Sequence, residues 1–144
     1  MTKHLRFTIV TPDGVTYQDE AVEQVTIPTA TGYITVLPGH IPLVTPLTAG
    51  ELVVKKSDHT VPMAVSGGVV EVRPGSEVHI LADTAERAEH IDIERAEAAK
   101  QRAEELLAAQ QHTADVDYAR LQAVIERELA RITIGKKYRA GRRP

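Results

Sequence analysis

The sequence contains no cysteine, no tryptophan and a single phenylalanine. The absence of cysteine excludes disulfides, thiolate metal sites and thiol nucleophiles. Because aromatic residues make up only 3% of the chain, its core must be built from Val, Ile, Leu and Ala. No apolar run approaches the roughly 20 residues that span a bilayer, and the start MTKHLRFTIV lacks the apolar region of a signal peptide. We therefore expect a chain that stays in a cytosol-like compartment and does not insert into the bilayer.

Charge is distributed unevenly along the chain. Residues 1–90 carry 6 Lys and Arg against 11 Asp and Glu, a net of -5, whereas residues 91–144 carry 11 against 9, a net of +2. After Ile132 there are five basic residues and no acid: Lys136, Lys137, Arg139, Arg142 and Arg143. A short basic tail of this kind is typical of a solvated segment, and it also fits an acidic partner surface.

Residues 3–83 contain short β-branched segments separated by turn residues. The turns are PDG at 12–14, PGH at 38–40, TAG at 48–50, SGG at 66–68 and RPG at 73–75. Turn signals every 8–12 residues without an intervening helix predict antiparallel strands in a sandwich or flattened barrel. Gly67 and Gly68 predict a bulge or a close backbone approach.

The second part of the chain has a helical pattern. Between Asp83 and Ile134 there is no Pro or Gly, and Ala96, Ala99, Ala103 and Leu106 recur at helical spacing, as do Leu121, Ile125, Leu129 and Ile132. Asp92 and Asp115 are suitable N-caps, with a break at QHTAD (111–115). We expect a sandwich domain at 1–86 and, at 87–144, an antiparallel hairpin of two helices of roughly 20 residues each with a basic C-terminal tail. The alanine-rich stripe buries little area, so only a few kcal/mol should hold this hairpin.

No constellation of catalytic or metal-binding residues is evident. The six histidines show no HxH, HxxxH or HExxH spacing, Ser66 lies in VSGG, and the phosphate-binding GxxxxGK[ST] loop is missing. The pattern indicates a protein that is not an enzyme. The proline-rich stretch LPGHIPLVTPL (37–47) is either an ordinary crossover or a stiff loop that presents His40 and neighbouring apolar groups to a partner.

The stretch IDIERA (91–96) has two interpretations. In the first, Asp92 is simply a helix cap and Arg95 pairs with Asp92 or Glu94 on the surface. In an antiparallel hairpin, however, Arg95 would converge with Arg127 and Arg131 beside Asp92. Glu86 lies just upstream of this group. Gathered arginines suit phosphate, so a nucleotide-sized site is compatible with the spacing.

Six stretches carry a resemblance to a known family. They are VTPDG (10–14), LPGHIPLVTPL (37–47), SGGVVEVRPG (66–75), ILADTAERAEHID (80–92), RAEAAKQRAEELL (95–107) and DVDYARL (115–121). With them the chain closely resembles the epsilon subunit of bacterial or chloroplast-type F-type rotary ATP synthase. The resemblance implies a sandwich of about ten strands followed by the helical hairpin. It also implies a non-catalytic rotor subunit in the central stalk of the proton-translocating ATP synthase, whose mobile hairpin regulates and inhibits ATP hydrolysis.

The resemblance also implies partners and a location. The partners are the gamma subunit and the ring of c subunits, with the alpha and beta subunits added when the hairpin extends; nucleic acid is not among them. The location is peripheral, on the cytoplasmic face of the cell membrane, or on the thylakoid membrane for a chloroplast-type chain. The residues alone leave one alternative, a free-standing β-sandwich adaptor that binds a partner or ligand through its loops.

Two groups of residues match positions with roles in the family. The first, here called the ring set, matches the contact with the c ring: Tyr33, Pro38, Gly39 and His40. In many members a Glu follows the glycine that matches Gly32, whereas Tyr33 follows it here. The second, here called the nucleotide set, matches the ATP ligands of ATP-binding members: Glu86, Ile91, Asp92, Arg95, Ala96, Arg127 and Arg131. ATP, alone or with magnesium, is then expected as a regulatory ligand, and no catalytic cofactor is expected.

Overall fold

The computed structural model describes residues 4–109 and 115–141, and the chain forms two compact units, Met1–Arg87 and Ala88–Pro144. The first unit contains eight strands: β1 (Leu5–Thr11), β2 (Gly14–Val22), β3 (Gln24–Thr29), β4 (Gly32–Val36), β5 (Leu43–Pro46), β6 (Gly50–Lys55), β7 (Thr60–Arg73) and β8 (Glu77–Arg87). The second unit contains a short 3-10 turn at Ala88–His90 and the helices α1 (Ile93–Ala109) and α2 (Asp115–Gly141). These elements confirm the predicted fold class, a β-sandwich with a C-terminal two-helix hairpin.

The strands pair in the order β2-β1-β8-β7-β6-β3-β4, and β5 pairs with β7. Strand β7 has 14 residues and serves two partners, because 60–65 pair with β6 and 69–72 pair with β5. A strand of this length takes the place of two short ones, which accounts for part of the difference between the eight strands described and the ten or so expected. The expectation of purely antiparallel pairing was wrong for one pair, since β1 and β8 are parallel. Parallel partners need a long connection, and nearly the whole unit lies between these two strands.

Alternation along the strands builds the core of the sandwich. In β1, Leu5, Phe7 and Ile9 are buried while Arg6 is exposed, so one face of the strand points inward. Other fully buried side chains include Leu52 and Ile80. This core is rich in Val, Ile and Leu, as the small number of aromatic residues requires.

Gly67 and Gly68 allow two backbones to approach closely in the middle of β7. Both have positive φ, +57° and +123°, and a Cβ on Gly68 would collide with the carbonyl oxygen of Leu81. The pairing register of β7 with β8 is the same before and after them, from Met63↔Arg87 to Arg73↔Glu77. Of the two predicted roles, the close approach is therefore the one that the structure has.

The hairpin helices differ in length from the expected 20 residues: α1 has 17 and α2 has 27. The predicted break lies largely in 110–114, outside the described residues. Helix α2 continues to Gly141, so residues 135–141, which were assigned to a basic tail, are helical. Lys, Arg and Ala are good helix formers. Of the two glycines in this stretch, Gly135 lies where the two helices approach each other and Gly141 is the last residue of α2.

Candidate functional site

Asp92 caps the first helix of the hairpin. Its Oδ1 accepts a hydrogen bond from the backbone N–H of Arg95 at 3.0 Å, and its carbonyl oxygen accepts one from Ala96 at 3.0 Å. This geometry satisfies donors that the first turn of a helix leaves without partners. The predicted N-cap role of Asp92 is confirmed.

The Arg95 side chain is exposed on the first turn of α1. Among residues 4–109 and 115–141 its guanidinium forms no ion pair with Asp92 or Glu94, so that part of the capping interpretation was wrong. An arginine side chain in water on this turn has all five of its N–H donors available for a ligand.

Ile91 and Ala96 are buried inside the hairpin, with 3% and 0% of their surface exposed. Gly135 of α2 passes beside this turn, so that a Cβ added to it would lie 3.2 Å from Ile91 Cγ2 and 2.9 Å from Ile93 Cγ1. The side chains of Ile91 and Ala96 are therefore occupied by packing. To a ligand, these two members of the nucleotide set can offer mainly their backbone groups.

Arg127 and Arg131 both contact an acid that the sequence reasoning missed. Glu128 is 2% exposed, its Oε1 accepts from Arg127 Nε at 3.1 Å, and its Oε2 accepts from Arg131 Nη1 at 2.8 Å. The spacing of Glu128 and Arg131 could have indicated one of these contacts, since an acid and a base three residues apart on a helix are neighbours. The burial of Glu128 was not visible, because it depends on how α2 packs.

The antiparallel register of the hairpin sets the distances between its arginines. Gly135 lies level with Ile93, and Lys136 forms an ion pair with Glu97 at 2.9 Å. At 1.5 Å per residue, Arg131 then lies about 3 Å and Arg127 about 9 Å along the axis from the level of Arg95. Along the hairpin axis, the first turn of α1 and the two arginines of α2 are thus offset by less than about 10 Å.

Glu86, the remaining member of the nucleotide set, belongs to the other unit. It lies in β8, where it pairs in register with Ala64 and is partly exposed.

The ring set is divided between the two ends of β4, with Tyr33 at its start and Pro38, Gly39 and His40 in the loop after its end. Tyr33 in β4 is 63% exposed, and the loop after β4 is anchored by a hydrogen bond from the Gly39 N–H to Ser76 Oγ at 2.9 Å. The His40 ring is partly buried and its Nδ1–H donates to the Ile41 carbonyl oxygen at 2.7 Å.

Two apolar side chains that sequence reasoning did not select are the prominent groups of this loop. Leu37 is 52% exposed and Ile41 is 74% exposed. They flank Pro38 and Gly39 on either side of the tight turn. The anchored loop therefore presents Leu37 and Ile41 as its exposed apolar groups, next to the partly buried His40 ring.

A row of apolar residues crosses the outer face of five strands. Directly opposite pairs connect them, namely Pro46↔Val69, Val69↔Leu81, Leu81↔Val10 and Val10↔Val15. Leu81 is 60% and Val15 is 62% exposed. We call Val10, Val15, Pro46, Val69 and Leu81 the outer stripe. A continuous exposed apolar patch of this kind is typical of a protein interaction site.

In the part of the chain that the structure describes, no helix is both long and apolar enough to cross a membrane. Within the same residues, no three His, Asp or Glu side chains are grouped as metal ligands.

Both units match one family of known proteins. Residues 4–88 match the family described as ATP synthase, Delta/Epsilon chain, beta-sandwich domain, and residues 89–135 match its long alpha-helix domain. The chain is 48% identical over 134 residues to the ATP synthase epsilon chain of Bacillus licheniformis, covering 93% of this chain and 99% of that protein. It is 51% identical over 114 residues to that of Bacillus subtilis, covering 79% and 85%.

Solved structures agree on the fold. A chain in the cryo-EM structure of the Euglena gracilis mitochondrial ATP synthase, OSCP/F1/c-ring in rotational state 1, superposes with a TM-score of 0.74 at 24% identity, covering 97% of this chain and 83% of that one. At this identity the structural similarity establishes the fold alone, whereas the bacterial relatives establish the family. That kinship confirms the prediction of a non-catalytic subunit. The chain belongs to the ATP synthase delta/epsilon chain family, and its curated bacterial relatives are epsilon chains.

Proposed function

We propose that this chain is a rotor subunit in the central stalk of an ATP synthase, where it couples the c ring to the gamma subunit at the cytoplasmic face of the cell membrane. The observation that carries the proposal is the kinship with bacterial epsilon chains, which extends across both units. The similar Euglena chain also comes from an assembly with F1 and a c ring. A subunit of this kind is peripheral to the membrane.

The two apolar surfaces of the sandwich suit two different partners. The outer stripe offers a flat aliphatic row to the gamma subunit, and Leu37 and Ile41 of the loop, with Tyr33 of β4, offer a narrower surface to the c ring. Apolar patches flanked by polar residues drive association by removing area from water, at about 25 cal/mol per Å².

The stalk proposal is tested by mixing the chain with its cognate gamma subunit at micromolar concentration on a sizing column. We expect co-elution, and we expect Val69→Asp with Leu81→Asp to abolish it, because two charges would be buried in an apolar interface. Thr60→Asp, an exposed change on the same strand β7, is the matched control. Separate elution of the unmodified chains would contradict the assignment to the stalk.

A second part of the proposal concerns inhibition of ATP hydrolysis by the hairpin. Inhibition requires the helices to separate from their closed arrangement and reach the alpha and beta subunits. Packing between the helices is close at the end with Ile93 and Gly135, but it is lighter toward the other end, where an open groove of about 470 Å³ runs beside Leu106, Leu121 and Val124. The pair Lys136–Glu97 is exposed, and such pairs contribute at most about 1 kcal/mol. Opening therefore has a small cost.

The chain has no cysteine, so this opening is testable with a single engineered disulfide. Gly135 and Ile93 are suitable positions, since a Cβ at 135 lies 2.9 Å from Ile93 Cγ1 and hence at most about 4.4 Å from Ile93 Cβ, within disulfide range. We expect Ile93→Cys with Gly135→Cys to relieve inhibition in the reassembled synthase when oxidised and to restore it when reduced. Ile93→Cys alone is the control. Equal inhibition in the oxidised and reduced states would rule out the opening of the hairpin as its cause.

The third part of the proposal is that ATP binds the nucleotide set and favours the closed hairpin. The residues fit such a ligand in two respects: Arg95 and Arg131 lie about 3 Å apart along the hairpin axis, and the Arg95 guanidinium is exposed. When bound, ATP would supply the negative charge that holds arginines of both helices together. It can shift the equilibrium only by the difference between its affinities for the closed and open states.

Calorimetric titration of the isolated protein with ATP and magnesium tests this part. We expect binding in the unmodified protein and its loss in Arg95→Ala and in Arg127→Ala, since each removes a donor to phosphate. Arg139→Ala, which removes an exposed arginine from the last turn of α2, is the matched control and should bind as before. If ATP up to millimolar concentration gives neither heat nor NMR shift changes, Asp92 and Arg95 serve only at the start of the helix and do not bind ATP.

A further inference from the structure

Glu128 is the unexpected acid of the hairpin. Charged side chains are almost never fully buried unless they are paired, and Glu128 is 2% exposed in the middle of α2. It is flanked by Arg127 and Arg131, two members of the nucleotide set. A buried carboxylate in this position has to be considered part of the site rather than part of the solvated surface.

The contact between Glu128 and Arg127 shows the direction in which the Arg127 side chain points. Neighbouring residues on a helix project about 100° apart and do not normally face each other. Arg127 Nε nevertheless lies 3.1 Å from Glu128 Oε1, so the Arg127 side chain bends toward the buried side of α2. Arg131, one turn further, donates to the other carboxylate oxygen at 2.8 Å. Each oxygen of Glu128 is thus held by one arginine.

A carboxylate and a phosphate can bind such a pair of arginines in the same way. Both present negatively charged oxygens to guanidinium donors, and both are held by charge-assisted hydrogen bonds. With Glu128 in place, the group of Arg127, Glu128 and Arg131 has a net charge of +1, whereas the two arginines alone would have +2. An incoming phosphate would therefore meet a weaker attraction and a nearby like charge.

We propose that the Glu128 carboxylate acts as an internal competitor, holding Arg127 and Arg131 as a nucleotide phosphate would and thereby lowering the affinity of the hairpin for ATP. This inference rests on the proposed ATP site and concerns how that site is regulated. Drawing both arginines onto phosphate would leave a buried carboxylate without partners, which is unfavourable. Glu128 thus sets the ATP concentration above which the hairpin is held closed.

The test compares ATP binding by the full chain and by Glu128→Gln, using calorimetry. Glutamine keeps the size of the side chain and removes its charge, so we expect Glu128→Gln to bind ATP at least about tenfold more tightly. Glu126→Gln is the matched control, because it removes the same charge from an exposed position on the same helix and should leave the affinity unchanged. Inorganic triphosphate in place of ATP should give the same ranking, since the competition concerns phosphate.

The outcomes separate the two proposals. Equal affinity of the unmodified chain and Glu128→Gln, with binding lost in Arg127→Ala, overturns the competition and leaves the ATP site standing. An equal gain in Glu126→Gln also overturns it, since general charge would then be the cause. If neither the unmodified chain nor Glu128→Gln binds at millimolar ATP, both proposals fail.

A second measurement uses the unmodified protein, so it does not require the Glu128→Gln variant to fold. In the unmodified protein, ATP should shift the NMR signals of Arg127 Nε and of the Glu128 side-chain carboxyl carbon together, because the ligand breaks the contact between them. Binding that leaves both signals in place would overturn the proposal. If Glu128 has only a structural role, both signals should stay in place when ATP binds.

Discussion

The sandwich and the hairpin are stabilised by different kinds of buried side chain. Fully buried residues of the sandwich include Phe7, Leu52 and Ile80, which interlock across a single core. The hairpin buries four isoleucines, Ile91, Ile93, Ile132 and Ile134, together with the small residues Ala96 and Ala103, and one of its buried side chains is the acid Glu128. A large aliphatic side chain contributes roughly 1.5–3 kcal/mol on burial, and alanine far less.

This difference separates a scaffold from a movable element. A unit with an interlocked core unfolds as a whole, whereas two helices with a light interface can separate at low cost. The surfaces proposed to stay in contact with partners lie on the sandwich, and the residues proposed to respond to ATP lie largely on the hairpin. Four predictions test this contrast, beginning with the largest expected effect.

The largest effect is expected where the sandwich depends on a close backbone approach. Gly68→Ala adds a Cβ that collides with the Leu81 carbonyl oxygen and places a side chain at φ +123°. We expect the sandwich to lose about 4 kcal/mol or more of unfolding free energy, measured with urea, from strain and overpacking together. Gly75→Ala is the control, with φ +85° but no atom within 4 Å, and it should lose only about 1–2 kcal/mol. Equal losses would show that the collision is relieved elsewhere.

Core truncation should distinguish the two units directly. Leu52→Ala removes a fully buried side chain from the sandwich and should cost about 3 kcal/mol, measured by chemical denaturation. Ala103→Gly in the hairpin should cost about 1 kcal/mol, chiefly from helix propensity. Leu129→Ala, at a position 49% exposed on α2, controls for the loss of a leucine as such. A comparable cost for Ala103→Gly and Leu52→Ala would contradict the contrast between the units.

The closest approach of the hairpin should be sensitive to added volume. Gly135→Val places methyl groups against Ile91 and Ile93, and we expect about 2 kcal/mol less protection of the first turn of α1 in amide hydrogen exchange. Protection in the sandwich should not change. Gly141→Val, where no atom lies within 4 Å, is the control for a valine in α2. Unchanged exchange in Gly135→Val would mean that the helices do not close at this point.

The smallest effect is expected from an ion pair of the sandwich. Partial burial raises the pKa of Asp19, but the hydrogen bonds from Lys56 and from the Ala21 N–H outweigh it and hold this pKa below its ordinary value. A carboxyl with a lowered folded-state pKa stabilises the fold above about pH 4 and loses this contribution as the pH falls further. Asp19→Asn should therefore lower the urea midpoint at pH 6, and the difference should shrink by pH 2.

Glu20→Gln, at an exposed neighbouring position, is the control for this pH series. The two variants should differ at pH 6 and approach each other in acid. A difference between Asp19→Asn and the unmodified protein that stays constant down to pH 2 would show that Asp19 acts through something other than its charge.

Local chemistry predicted several features correctly, and each depends on residues close together in the chain. The cap at Asp92, the close approach at Gly67 and Gly68, and the start of α2 at Asp115 follow from propensities that act within a few residues. The predicted second helix of roughly 20 residues was too short, because α2 continues through Gly135 to Gly141. The role of Gly135 is to make room for Ile93, a residue more than forty positions away.

Contacts between distant residues account for what sequence reasoning missed. The parallel pairing of β1 with β8, the outer stripe and the burial of Glu128 each require a register between segments that are far apart in the chain. Alternation along one strand gives its two faces but not its neighbours. The exposed groups of the loop after β4 are Leu37 and Ile41, which the sequence indicated only as unnamed apolar neighbours of His40.

The sequence by itself determined the two classes of secondary structure, the capped start of α1 and the division between a β-branched and an alanine-rich part, because period and propensity are local properties. The pairing partners of the strands, the apolar row on their outer face and the placement of Glu128 between two arginines were decided only by the tertiary structure. Those features depend on packing, in which each side chain is positioned by neighbours that the chain order does not reveal.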